Sequence, residues 1–111
     1  MDLEILNLNT REKEILKRNG IRTVESLALL TPHELPFSRG KSEVLVQHAR
    51  NTILFSSIEE IEILSEEVRV KFNRKINPVI ELSTKSILNL DNPFTSCGID
   101  GDTMIITPKW G

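Results

Sequence analysis

The sequence predicts an α+β fold, with four to five short helices in residues 1–57 packed on a small antiparallel β-sheet in residues 58–111. Three observations carry this expectation. Helix start and stop signals recur at short intervals through the first half. Apolar and charged residues alternate in "EVRVKFN". An Asp-Gly pair separates two strand-like runs in "FTSCGIDGDTMIITP".

Taken in order, Asn9 and Glu12 form a capping-box pair that opens a helix over "TREKEILKRN". Gly20 stops it, as the residue that takes left-handed backbone most cheaply. Ile15 and Leu16 are expected in the core, over Leu6 and Leu8. Thr23 caps "VESLALL", and Thr31, Pro32 and Glu34 open a one-turn helix that Pro36 closes. After "FSRGK", the helix "SEVLVQHARNTILF" presents Val44, Leu45, Val46, Ala49, Ile53 and Leu54 as a broad apolar face. All these helices are too short to persist alone, so they must pack on one another.

In the second half, "SIEEIEILSEE" fits a helix or a strand, and a short helix capped by Ser57 and Glu60 is preferred. Val68, Val70 and Phe72 form the inner face of a strand, with Arg69 and Lys71 outside. "RKINP" turns the chain, and "VIELS" is expected as the antiparallel partner strand. "TKSILNLDNP" is ambiguous and allows one helical turn. The last hairpin turns at Asp100-Gly101, with Met104, Ile105 and Ile106 in a buried strand. Trp110 is assigned either to the sheet or to a partner.

The charge balance differs between the halves, at eight Lys/Arg against seven Asp/Glu in residues 1–57 and six against nine in residues 58–111. Neither half is strongly basic. The lone Cys97 forms no intrachain disulfide and has no metal-ligand partner at useful spacing, which fits a reducing, cytoplasmic setting. No apolar run is long enough to span a bilayer, and the acidic start "MDLEIL" is unlike a secretion signal. No nucleophile–base pair, metal set or phosphate loop is present, so the expectation is a protein without catalysis, cofactor or metal.

The pattern "LNLNTREKEILKRNGIRTVESLALLTPHEL", followed by "RGKSEVLV", resembles the helix-hairpin-helix class over roughly residues 3–54. It is similar to the C-terminal domain of the bacterial RNA polymerase alpha subunit, and to the N-terminal domain of archaeal and eukaryotic recombinases of the RadA type. The resemblance implies a DNA-facing surface at Arg11 in the first helix and at Gly40, Lys41 and Ser42 ahead of the last. Lys13 and Arg39 would widen it. Independently of any family, helix N-termini offer free backbone N–H groups to phosphate oxygens, and adjacent cations add to this. Departures from the family pattern are Glu14, where those domains carry Asn, a shorter "RGKSE" loop, and the absence of a Gly-x-Gly hairpin in "NLNTRE".

Two functions follow from these readings. One is a DNA-binding, transcription-associated module that touches the duplex backbone. The other is an adaptor that binds a protein through the sheet edge or the acidic segment 59–67. Neutralisation of Arg11 and Lys41 by Glu12, Glu14 and Glu43 would favour the adaptor. His33, His48 and the "GIDGD" turn are assigned structural roles, because none has enough ligands for a metal.

Overall fold

A computed structural model describes residues 1–109, so Trp110 and the alternatives for its placement lie outside the described residues. Two 3-10 turns, Leu3–Leu6 and Pro32–Glu34, and three α-helices make up the first half. The helices are α1 (Thr10–Arg18), α2 (Val24–Ala28) and α3 (Arg39–Ser57). Strands β1 (Ile58–Ile63) and β2 (Val68–Phe72) follow, then α4 (Pro78–Ile87), β3 (Thr95–Asp100) and β4 (Thr103–Pro108). The four strands form one antiparallel sheet in the order β1-β2-β4-β3.

The helical start signals act as the sequence indicates. Asn9 Oδ1 accepts from the Glu12 N–H at 2.8 Å, and Glu12 Oε1 accepts from the Asn9 N–H at 3.0 Å. Thr23 caps α2, and Gly20 takes the left-handed conformation at φ 79°. In the turn 31–34 the Glu34 carboxylate accepts from the Thr31 N–H at 2.7 Å. That bond, ahead of its other contacts, holds the Glu34 carboxyl below its ordinary range.

Three expectations are corrected. First, α3 begins at Arg39, because Ser38 is its N-cap and accepts from the Lys41 N–H at 3.4 Å. Gly40, Lys41 and Ser42 therefore lie inside the first turns of the helix rather than ahead of it. Its buried face is Ser42, Leu45, Val46, Ala49, Ile53, Leu54 and Ser57, whereas Val44 points outward. Second, "IEEIEI" is the strand β1, and Ser57 before it closes α3. A register shift between Ile58 and Glu60 lets Ile58 and Ile61 share a face although they are three residues apart, which breaks simple alternation.

Third, "VIELS" belongs to α4. Asn77 caps it, accepting from the Ile80 N–H at 2.9 Å, and Pro78 occupies the first turn, where its missing N–H costs nothing. Left-handed Asn89 (φ 53°) follows its end. The hairpin 95–108 forms, but its turn lies one residue later than expected: Asp100 faces Thr103, so Gly101-Asp102 is the central pair, with Gly101 at φ 63°. Met104 is its fully buried residue, while Ile105 and Ile106 are half-buried.

The buried side chains form one apolar cluster. Leu16, Val24 and Leu27 of the first helices, Ile53 and Leu54 of α3 and Ile80 of α4 belong to it. So do Val70, Phe72 and Met104 from the centre of the sheet. The molecule is elongated, at 48 × 29 × 18 Å with a radius of gyration of 15.4 Å, where a compact chain of this length would have about 13 Å.

The guanidinium of Arg50 on α3 ties the parts together. It donates to the Ala28 carbonyl at 2.9 Å, the Leu30 carbonyl at 3.0 Å and the Ser86 hydroxyl of α4 at 3.0 Å. The two carbonyls lie at the C-terminal end of α2, where a cation also complements the helix dipole.

Candidate nucleic-acid interface and the sheet edge

The residues implied by the resemblance cluster where α1 and α3 begin. Arg11 and Lys13 lie in the first turns of α1, and Arg39, Gly40, Lys41 and Ser42 open α3. The two helix starts are joined by the ion pair of Lys41 Nζ with Glu12 Oε2 at 2.7 Å. Glu12 thus serves two purposes, with one oxygen on the Asn9 N–H and the other on the Lys41 ammonium. Lys41, and then the Asn9 N–H, hold its carboxyl below the usual carboxylate range. Lys41 also sits 5.0 Å from the centre of the Phe37 ring, a cation–π distance that fixes its direction further.

Two further cations of the cluster are engaged as well. Lys13 Nζ meets both carboxylate oxygens of Glu4 at 3.0 Å. Arg39 Nε meets Glu43 at 3.2 Å, one helical turn on. Ser42 is fully buried and donates to the Phe37 carbonyl at 3.4 Å, so its hydroxyl faces inward and away from any phosphate outside. That corrects its place in a DNA-contacting set. Gly40 is exposed, with open space where a Cβ would stand. Arg11 is exposed and makes no ion pair among the described residues. Beside this cluster, Pro32, His33, Leu35, Phe37, Arg39 and Glu43 line an open groove of about 460 Å³.

The second candidate surface is the sheet. One face carries Ile58, Ile61 and Ile63 of β1, matched across the strands with Phe72, Val70 and Val68, and beyond them Met104 and Ile106. The other face carries Glu60 opposite Lys71 and Glu62 opposite Arg69. Glu67 pairs with Arg69 at 2.6 Å. Within the acidic segment 59–67, Glu67 alone makes an ion pair among the described residues, while Glu60 and Glu62 stand in register opposite basic residues without a direct ion pair. The apolar face is covered at its centre but not at the β1 edge, where Ile61 is 54% and Ile63 79% exposed.

Cys97 lies half-buried in β3, and burial pushes its thiol up from the ordinary value. Among the described residues, no His, Cys, Asp or Glu cluster could hold a metal ion, and no helix is long and apolar enough to cross a membrane.

Two features escaped the sequence reading. Arg50 had a signal, as a lone cation between Ala49 and Ile53 on the apolar side of a helix. For the β1 edge, the sequence offers a strand only as the second choice for that segment, and the exposure of Ile61 and Ile63 is a tertiary fact with no sequence signal. No family model, curated protein or solved structure matches this chain.

Proposed function

We propose that the chain is a non-catalytic, cytoplasmic interaction module. Its helical unit is of helix-hairpin-helix type and has given up nucleic-acid binding, and its sheet meets a protein partner. The observation that carries this reading is the pairing of three of the four cations at the helix starts: Lys41 with Glu12, Arg39 with Glu43 and Lys13 with Glu4. A phosphate arriving there must displace a carboxylate from each cation, and the acids left behind repel it. Cations already neutralised in this way release few counterions from a duplex, which removes the main source of backbone affinity.

A second reading is a DNA-binding, transcription-associated module that contacts the backbone. Exposed Arg11 favours it, as do the neighbouring starts of α1 and α3 with Gly40 open to close approach. Anisotropy of a labelled duplex, titrated with the protein at low and at physiological salt, separates the two. The module reading expects no saturable binding at physiological salt. Binding that weakens with salt and disappears in the Arg11→Ala/Lys41→Ala variant would overturn it in favour of DNA.

A further inference from the structure

The sheet ends at β1, whose outer side carries no strand among the described residues. On its inner side β2 answers it residue by residue, with Val70 and Val68 opposite Ile61 and Ile63, and Lys71 and Arg69 opposite Glu60 and Glu62. β1 thus already accepts a strand in which apolar and basic residues alternate. A strand added outside would stand at the same spacing of about 4.8 Å and meet the same side chains.

We propose that the outer edge of β1 binds one extended segment of a partner protein as a fifth strand, a segment in which Lys or Arg alternates with Val, Ile or a similar residue. This deepens the interaction-module reading and rests on it. The backbone of β1 supplies hydrogen bonds that are indifferent to sequence, and its two faces supply the selection. Apolar residues of the incoming strand cover Ile61 and Ile63, which are otherwise left to water. Its basic residues extend the cross-strand rows that Lys71 and Arg69 begin on the opposite face.

The same acids argue against a second copy as the occupant. An antiparallel β1–β1 pair with Ile61 on Ile61 sets Glu60 against Glu62. One with Ile61 on Ile63 sets Glu62 against Glu62. Like charges directly opposite destabilise a pair, so the edge is guarded against itself and open to a basic strand. The bulge at Ile58–Glu60 confines regular pairing to Glu60–Ile63, which calls for a short segment and modest affinity.

The test uses the full chain, isotopically labelled for NMR, with an end-capped synthetic peptide alternating Val with Lys and Arg. Controls are the same peptide with Glu for each basic residue, and a scrambled peptide of identical composition. The expected result is amide shift changes confined to residues 59–64 and slowed exchange of β1 amides. Binding should be at least about tenfold tighter than for the acidic peptide, and lost in Ile63→Lys. That side chain is exposed, so the variant should keep the parent melting temperature, which is measured alongside.

Equal binding of the scrambled peptide, or shifts without amide protection, would overturn the proposal, as would a β1-mediated dimer in sedimentation. Absence of peptide binding would overturn it too. If the chain then still crosslinked to a protein through another surface, such as Val44 and Phe55 on α3, the module reading would survive. The duplex titration tests that reading separately.

Discussion

Replacing Arg50 by alanine should destabilise the protein more than any other single change at a charged residue. The guanidinium makes three hydrogen bonds, and its loss strands the carbonyls of Ala28 and Leu30 in a partly buried setting. Hydrogen bonds from a charged donor contribute about 1.5–3 kcal/mol each. The Ser86 hydroxyl can turn elsewhere, so the two carbonyls dominate, and with both only partly buried the lower end of that range applies, giving a loss of about 3–4 kcal/mol. For 111 residues the entropy of unfolding is about 0.23 kcal/mol/K. The midpoint should then fall by roughly 13–17 °C. Arg50→Lys keeps the charge but cannot reach three acceptors with a planar fork, so it should fall between parent and Ala. Thermal melts and urea titrations followed by circular dichroism read both variants. A loss below about 1 kcal/mol for Ala, or a Lys variant equal to the parent, would refute the view that this fork ties α2 to α4.

Further outcomes follow from other residues. The hydroxyls of Ser83 and Thr84 are fully buried and have no hydrogen-bond partner among the described residues. Thr84→Val should therefore raise stability by about 1 kcal/mol in urea titrations. Gly40→Ala meets nothing within 4 Å beyond its own stretch of helix among the described residues and should stabilise α3 by about 0.5–1 kcal/mol. In the module reading this leaves duplex titrations unchanged. Glu12 has a carboxyl lowered in the fold, so the folded state binds fewer protons than the unfolded chain between the two values. Its contribution is complete above the unfolded value of about 4.3 and is lost as pH falls through the folded one. The drop in melting temperature on acidification should be shallower in Glu12→Gln than in the parent.

The first half of the fold was legible because its signals are local. Asn9 with Glu12, Gly20, Thr23, and Thr31 with Glu34 each act within one turn, and each acts in the structure as its chemistry dictates. The second half was legible only where alternation is strict, in β2 and in the β3–β4 hairpin. In β1 the bulge shifts the isoleucines out of step. In α4 the core-facing stripe Ile80, Ser83, Thr84 and Ile87 is half hydroxyl, so an apolar period could not reveal it, and the Asn77-Pro78 start was the stronger clue. The candidate site divides likewise. Which basic residues gather at the helix starts was readable from the resemblance. That Lys13 and Lys41 are held by acids is a tertiary fact, because the partners Glu4 and Glu12 come from other elements, whereas Arg39 with Glu43 is a local i,i+4 pair and Arg11 has no acid partner among the described residues.

The last residue of α3 is Ser57 and the first of β1 is Ile58, with nothing between them. The rotational phase of a 19-residue helix is thereby locked to the choice of which strand face looks inward. One residue inserted here would either turn the helix by about 100° against its packing or exchange the two faces of β1, sending Ile61 and Ile63 across to the polar side. Changes in chain length are therefore barred at this junction and better tolerated in turns between elements, such as 64–67 and 88–94. Those are the places to graft a tag or a reporter.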